Sequence, residues 1–192
     1  MQILEYAQEI IHYLYTLPNV KACRLYGSLA GNTFDAYSDI DIELDVSGTD
    51  NGQYLLHLPA LVGKHFPVVF YDYAPSLAPE KYVVSIATDS QNPFQIIDIA
   101  CTARPHCKSV SADTLRAQND PYAHILKLFT ANLKHFLRGK NVCADVQRMH
   151  HKIFGAPSLT DEKEMLEKTY KWLKTHAQKR QQPYVCALKK YL

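Results

Sequence analysis

Residues 25–42 read LYGSLAGNTFDAYSDIDI and carry the clearest chemical pattern in this sequence. Asp39 and Asp41 are one residue apart in a segment that alternates acidic and aliphatic side chains, so both carboxylates should project from one face of a β-strand. A glycine–serine turn, Gly27-Ser28, lies upstream at the end of another apolar segment. A turn able to hold phosphate beside two metal-binding carboxylates favours nucleotide chemistry.

The spacing of the two carboxylates suits a hard divalent cation. Alternate residues of a strand lie roughly 6.5–7 Å apart, and flexible Asp side chains can converge from there on one Mg²⁺, which prefers oxygen ligands. Several acids on one strand face repel one another and are costly to bury without a cation. An exposed acidic sheet face would also explain the alternation, but it does not explain the Gly-Ser turn upstream.

The segment from Leu25 to Ile42 resembles the signature of the DNA-polymerase-β-like nucleotidyltransferases. That signature is an apolar strand, Gly-Ser, a small-residue turn with a second glycine, and then Ser-Asp-x-Asp followed by an apolar residue. The spacing is similar to that of small bacterial members, which include aminoglycoside and lincosamide nucleotidyltransferases and minimal nucleotidyltransferase antitoxins. The matching residues are Gly27, Ser28, Gly31, Ser38, Asp39 and Asp41.

The resemblance implies a role for the matched residues, with ATP as co-substrate. Gly27 would let the backbone approach the triphosphate, and Ser28 would hold a phosphate oxygen. Ser38 would bind the nucleotide together with Gly27 and Ser28. Asp39 and Asp41 would bind Mg²⁺, and the resemblance implies a third carboxylate on a later strand.

Asp98 is the best candidate for this third carboxylate. It is a lone acid inside the apolar run Phe94–Ala100, a placement that is unfavourable unless the acid is paired or metal-bound. Glu43 lies an even number of positions from Asp39 and Asp41, so it should project from the same strand face, and it is the alternative third carboxylate. In that case Asp98 would be an ion-paired acid or an acid at the edge of the sheet. As the proton acceptor, Asp98 would allow a hydroxyl group to attack the α-phosphate and pyrophosphate to leave.

The hydrophobic periodicity predicts an α+β fold, in which a mixed β-sheet with flanking helices is followed by an all-helical C-terminal part. The predicted division is a nucleotidyltransferase catalytic domain at residues 1–108 and a helical domain at residues 109–192. The predicted strands cover residues 20–26, 38–46, 67–73, 82–87 and 94–101, and the predicted helices cover residues 2–17, 53–65, 122–137, 142–153 and 161–178.

Three basic residues of the second predicted domain share one helix face. Lys127, Lys134 and Arg138 return to the same side because offsets of seven and eleven residues are close to whole helical turns. Either they reach the triphosphate or they form a solvated basic face, which is the simpler interpretation.

Composition restricts the partners and the location that we expect. The chain has 192 residues and a formal net charge of +2, so a nucleic-acid partner is not expected, since that needs a clustered basic surface. No run approaches the roughly 18 apolar residues of a membrane helix, and the N-terminal segment lacks the basic region of a signal peptide. The five cysteines form no CxxC pair, which is typical of free thiols in a reducing cytoplasm.

The sequence therefore predicts a cytoplasmic, Mg²⁺-dependent nucleotidyltransferase. It would move a nucleoside monophosphate, AMP from ATP, to a hydroxyl of a small molecule such as an aminoglycoside-like antibiotic. The alternatives are a protein-modifying nucleotidyltransferase of the toxin–antitoxin type and a nucleotide-binding module without turnover. The acceptor, the preferred nucleotide and the oligomeric state, including a homodimer, stay open at this point.

Overall fold

The computed structural model describes residues 2–74, 81–89, 92–106, 109–155 and 161–192. The chain divides into two compact units, Met1–Ser90 with Gln95–Asn119 and Gln91–Phe94 with Asp120–Leu192. The first unit contains a mixed β-sheet with helices, and the second is helical. The predicted α+β class is therefore confirmed.

The first unit is built around a five-stranded sheet. All of the predicted strands are present, with small shifts at their ends. They are β1 (Ala22–Leu25), β2 (Ile40–Asp45), β3 (Val68–Ala74), β4 (Lys81–Thr88) and β5 (Ile97–Thr102). Their spatial order is β1-β2-β5-β4-β3, with β2 and β5 parallel and the other neighbours antiparallel.

The described residues of this unit form the helices α1 (Ile3–Tyr15), α2 (Gly27–Ala30), α3 (Asn51–Val62) and α4 (Ala112–Arg116). Of these helices, α1 and α3 were predicted, and α3 runs through Pro59. The short helix α4 was not predicted; the side chain of the preceding Ser111 accepts the Thr114 backbone N–H. The predicted domain boundary between residues 108 and 109 falls between β5 and α4.

The alternation along β2 decides which face of the sheet becomes the core. Ile40, Ile42 and Leu44 are fully buried, whereas the acidic residues between them are half-buried. The apolar face packs with α1 and α3, because their buried side chains belong to the same cluster. Each fully buried Leu or Ile contributes about 1.5–3 kcal/mol of transfer free energy. The carboxylates of β2 therefore project from the opposite face.

The second unit contains α5 (Pro121–Leu137), α6 (Cys143–Phe154), α7 (Glu162–His176) and α8 (Gln182–Leu188), followed by a 3₁₀ turn at Lys189–Tyr191. The first three helices were predicted, and α8 was not. Asp side chains cap two of them by accepting backbone N–H groups, from Ala123 in α5 and from Glu164 in α7. The buried side chains of this unit include Leu126, Phe129, Leu133, Val146, Met149, Met165, Leu166, Leu173 and Leu188.

The cysteines of the described ranges are free thiols, at Cys23, Cys101, Cys143 and Cys186. Cys107 lies outside the described residues. Among the helices that the structure describes, none is long and apolar enough to cross a membrane.

Candidate active site

Two of the predicted site carboxylates face each other across the sheet. Asp41 on β2 is the register partner of Asp98 on the parallel strand β5. Paired residues of neighbouring strands project from the same face, and the strands lie about 4.8 Å apart. Both side chains are half-buried. The fold thus brings together two acids that are far apart in the sequence.

This pair belongs to a line of polar residues that crosses four strands. Asp98 lies opposite Ser85 on β4, and Ser85 lies opposite Asp72 on β3. We call Asp41, Asp98, Ser85 and Asp72 the polar row. The Ser85 hydroxyl donates a hydrogen bond to Oδ1 of Asp98, and Ser85 itself is buried. A fixed donor therefore orients the carboxylate of Asp98.

The loop before β2 presents Asp39. This residue directly precedes the strand and is half-buried. The buried Ser38 accepts the Asp35 backbone N–H at 2.9 Å through Oγ and donates to Oδ1 of Asp35 at 3.0 Å. The Tyr37 backbone N–H donates to the same Asp35 oxygen at 2.9 Å. The Ser38 hydroxyl is thus engaged in shaping the loop that leads to Asp39.

The glycine–serine turn lies directly against Asp41. Gly27 has a φ of +67°, and a Cβ atom built on it would collide with Oδ2 of Asp41 and lie 3.0 Å from its Cγ. Glycine is required there both by the left-handed backbone and by this close approach. The half-buried Ser28 follows, and its carbonyl accepts the Thr33 backbone N–H at 2.9 Å.

Tyr26 is a site residue that the sequence analysis missed. Its backbone N–H donates to the Asp41 carbonyl oxygen at 3.0 Å, and its side chain is 37% exposed. Partial burial raises the pKa of the phenol to about 12, and repulsion by nearby carboxylates adds to this rise. The phenol therefore keeps its proton at neutral pH and can donate a hydrogen bond. The contributing carboxylates are Asp41, Asp98, Asp39 and Glu43, in decreasing order.

Glu43, the alternative third carboxylate, lies in a different environment. Its Oε2 is 3.1 Å from the Arg24 guanidinium and 3.8 Å from the Lys81 ammonium. In register it faces Arg24 on β1 and Ala100 on β5. Glu43 is therefore ion-paired with Arg24 and Lys81.

The polar row has the donor chemistry of a magnesium site. Mg²⁺ takes hard oxygen ligands, commonly one or two carboxylates together with phosphate oxygens of a substrate. Within the described ranges, no three His, Cys, Asp or Glu side chains converge tightly enough to hold a metal ion by themselves. The facing Asp41 and Asp98 supply two such carboxylates, so these residues fit Mg²⁺ that arrives with a triphosphate.

Two further residues of the polar row could have been identified as candidate site residues from the sequence. Ser85 and Asp72 are isolated polar residues within apolar strands, which is the same signal that identified Asp98. Tyr26 had no comparable signal, because its position depends on the pairing of β1 with β2. The cations Lys127, Lys134 and Arg138 all belong to the second compact unit.

Comparisons with known proteins find distant structural similarity. The sequence matches no protein-family profile and no curated protein. The chain is similar to the polymerase core of TRAMP, an RNA surveillance complex, with 12% identity and a TM-score of 0.44 over 88% of this chain and 57% of that chain. It is also similar to a chain of the GLD-2/RNP-8 complex, with 12% identity and a TM-score of 0.41 over 88% of this chain and 77% of that chain. Likeness at this level assigns neither a family nor an activity to this chain.

Proposed function

We propose that this protein is a Mg²⁺-dependent nucleotidyltransferase that transfers AMP from ATP to a hydroxyl of a small molecule and releases pyrophosphate. The observation that carries this proposal is the register pairing of Asp41 with Asp98, next to the backbone of Gly27. The proposed enzyme is cytoplasmic, with a catalytic domain at residues 1–108 and a helical domain at residues 109–192.

The carboxylates Asp39, Asp41 and Asp98 would hold Mg²⁺ in this enzyme. When bound, Mg²⁺ would neutralise charge on the triphosphate and on the departing pyrophosphate. Ser38 would support Mg²⁺ binding indirectly, because its hydrogen bonds with Asp35 order the loop before Asp39.

The turn after β1 would hold the triphosphate. The absence of a side chain at Gly27 would let the backbone approach the phosphates, and the Ser28 hydroxyl would donate to a phosphate oxygen. The protonated phenol of Tyr26, whose pKa is raised to about 12, supplies a further donor on the same side. Hydrogen bonds to charged groups contribute about 1.5–3 kcal/mol each, so both hydroxyl groups would contribute measurably to nucleotide use.

Asp98 would act as the general base. The acceptor hydroxyl gives its proton to Asp98 as its oxygen forms a bond to the α-phosphorus. The bond from that phosphorus to the oxygen bridging to the β-phosphate breaks, and pyrophosphate leaves. The Ser85 hydroxyl positions the carboxylate by its hydrogen bond to Oδ1. A positioned general base contributes about 10²–10⁴-fold to the rate.

The proposal is tested with ATP labelled at the α-phosphate, Mg²⁺ and a panel of hydroxyl compounds that includes aminoglycosides, lincosamides and sugar phosphates. We expect transfer of label to at least one compound, with release of pyrophosphate. Asp98→Asn should retain Mg·ATP binding and lower transfer by about 10²–10⁴-fold. The control is Asp113→Asn, which changes an exposed carboxylate that pairs with Arg116 at 2.9 Å.

Three results would contradict parts of this proposal. Normal transfer by Asp98→Asn would remove Asp98 from the catalytic residues. Loss of transfer in Glu43→Gln with normal transfer in Asp98→Asn would make Glu43 the third carboxylate. If no compound of the panel reacts with the unmutated protein, the small-molecule acceptor is wrong and modification of a protein becomes the better hypothesis.

A further inference from the structure

A pocket of about 340 Å³ opens on the face of the sheet that carries the polar row. Its size is within the range of small-molecule sites, which start at about 300 Å³. The pocket combines residues from the ends of β1, β2, β4 and β5 with the segment that follows β5. Its charged and polar lining consists of Arg24, Glu43, Asp45, Lys81, Thr102 and Arg104.

The lining of this pocket carries an excess of positive charge. It has three basic side chains, Arg24, Lys81 and Arg104, against two carboxylates. Glu43 pairs with Arg24 and Lys81 through one oxygen. Asp45 accepts the Ser47 backbone N–H at 2.8 Å and the Ser47 hydroxyl at 2.6 Å, both through Oδ1.

Arg104 is the cation best placed to bind a ligand. Its backbone N–H donates to the Ser47 hydroxyl oxygen at 2.9 Å, which fixes the start of its side chain at the pocket wall. Arg104 is exposed, and among the residues that the structure describes no carboxylate forms an ion pair with its guanidinium. Within the described ranges, this guanidinium therefore lines the pocket without an ion-pair partner.

The pocket and the Gly27–Ser28 turn lie on opposite sides of Asp41. In the antiparallel pairing of β1 with β2, Arg24 faces Glu43, two strand positions or roughly 6.5–7 Å beyond Asp41. Gly27 contacts Asp41 from the other end of that pairing. Attacking and leaving oxygens lie in line on opposite sides of the phosphorus in phosphoryl transfer. With the leaving pyrophosphate on the Gly27 side, the pocket side is therefore where the acceptor would bind.

From this arrangement, and resting on the proposed function, we infer that the acceptor is a small hydroxyl compound that carries a phosphate group. The phosphate binds to Arg24, Lys81 and Arg104 while the hydroxyl reaches Asp98. Guanidinium groups suit this ligand because their planar N–H donors match phosphate oxygens in pairs. A polycationic aminoglycoside would be repelled by the same three side chains.

Binding without ATP tests this inference independently of catalysis. Calorimetry compares ribose 5-phosphate and glycerol 3-phosphate with ribose and glycerol, and we expect each phosphate to bind at least about tenfold more tightly than its neutral partner. Arg104→Gln should weaken binding of both phosphates about tenfold and leave Mg·ATP affinity unchanged. The matched control is Arg116→Gln, since Arg116 is an ion-paired arginine on α4 that does not line the pocket.

A second variant changes binding in the opposite direction. Glu43→Gln removes the carboxylate that pairs with Arg24 and Lys81, so both phosphates should bind more tightly than to the unmutated protein. This increase is expected even if Arg104→Gln fails to fold. Weaker phosphate binding by Glu43→Gln would overturn the inference.

Several other results would overturn the inference. These are binding of neither phosphate above its neutral partner, inorganic phosphate binding as tightly as ribose 5-phosphate, or tighter binding of kanamycin than of either phosphate. An equal loss of Mg·ATP and ribose 5-phosphate in Arg104→Gln would make the pocket a triphosphate site. A preference for a short oligoribonucleotide over both phosphates would reassign it to a nucleic-acid strand.

Failure of the proposed function gives a different pattern. Selective phosphate binding in this pocket without any transfer of AMP would support the pocket and overturn the nucleotidyltransferase. Transfer of AMP to neutral hydroxyl compounds, unaffected by Arg104→Gln, would support the nucleotidyltransferase and overturn the anionic acceptor.

Discussion

Asp41 and Asp98 are register partners on adjacent parallel strands, although β3 and β4 separate them in the sequence. Two like charges directly opposite one another destabilise a sheet by about 0.2–1 kcal/mol. A pair of this kind is unfavourable for stability alone and favourable for binding a cation. Removal of one of these two charges should therefore raise the stability of the fold and lower the activity.

Asp98→Asn should stabilise the protein while it lowers transfer about 10²–10⁴-fold. The amide removes one of the facing charges, and its oxygen can still accept the Ser85 hydroxyl, so unfolding in urea without Mg²⁺ should require about 0.2–1 kcal/mol more. Asp113→Asn, on the exposed surface, is the control. A clear loss of stability in Asp98→Asn would indicate that the Asp98 charge stabilises the fold in the absence of metal.

Nucleotide binding should depend on Mg²⁺ through Asp39 and Asp41. Asp41→Ala should abolish turnover and leave the circular dichroism spectrum unchanged, because the side chain is only half-buried and projects away from the apolar core. Calorimetry should detect ATP binding to the unmutated protein with Mg²⁺ and not with a chelator. Tight, Mg²⁺-independent ATP binding by the Asp39→Ala, Asp41→Ala double variant would count against this metal site.

Gly27→Ala should be more damaging than the same change at a matched glycine. Gly27 and Gly139 have nearly equal φ angles, +67° and +69°, but a Cβ on Gly139 meets nothing within 4 Å. Both substitutions should lower the free energy of unfolding by about 1–2 kcal/mol, since alanine disfavours the left-handed backbone. Only Gly27→Ala should also displace Asp41 and reduce kcat/KM. Equal activity of the two variants would show that the contact with Asp41 is not required.

Ser28→Ala should weaken nucleotide use without unfolding the protein. Loss of one hydrogen bond to a charged phosphate corresponds to about 1.5–3 kcal/mol in kcat/KM. Ser28→Thr retains the hydroxyl and should recover most of this loss. Unchanged kinetics of Ser28→Ala with every nucleotide tested would show that Ser28 is only a turn residue.

The helical unit should lose stability in mild acid because of His150. This side chain is fully buried, and within the described part of the chain its ring nitrogens have no hydrogen-bond partner. Burial, together with the nearby Lys168, lowers the pKa of His150 below 6.5. The unfolded chain therefore binds a proton that the folded chain excludes, so stability is complete above pH 6.5 and is lost as pH falls through the lower folded value.

Replacement of two histidines, one buried and one exposed, separates this effect from general acid sensitivity. In urea unfolding at a series of pH values, His150→Leu should flatten the decrease below pH 6.5 that arises from this histidine. His57→Gln changes an exposed histidine of the first unit and should leave the decrease unchanged. An identical pH dependence in His150→Leu and the unmutated protein would assign the acid sensitivity to other groups.

Much of the fold followed from local pattern. The period of two in the acid–aliphatic alternation predicted both the existence of β2 and its buried face, and longer helical periods predicted α1, α5 and α7. The short helices α4 and α8 were missed because a helix of few turns has too little periodicity to stand out. Ser85 and Asp72 were missed although each interrupts an apolar strand, as Asp98 does.

The sequence by itself determined which residues could share a face of a strand and which turn had to be glycine-rich, because both depend on nearest neighbours along the chain. Only the tertiary structure decided that β2 lies beside β5, since strand order depends on how the apolar faces pack against α1 and α3. That order places Asp98 opposite Asp41, and the pairing of β1 with β2 places Arg24 beside Glu43. The side-chain geometry near β4 brings Lys81 to the same carboxylate. Glu43, the alternative to Asp98 as the third carboxylate, is thereby ion-paired with Arg24 and Lys81.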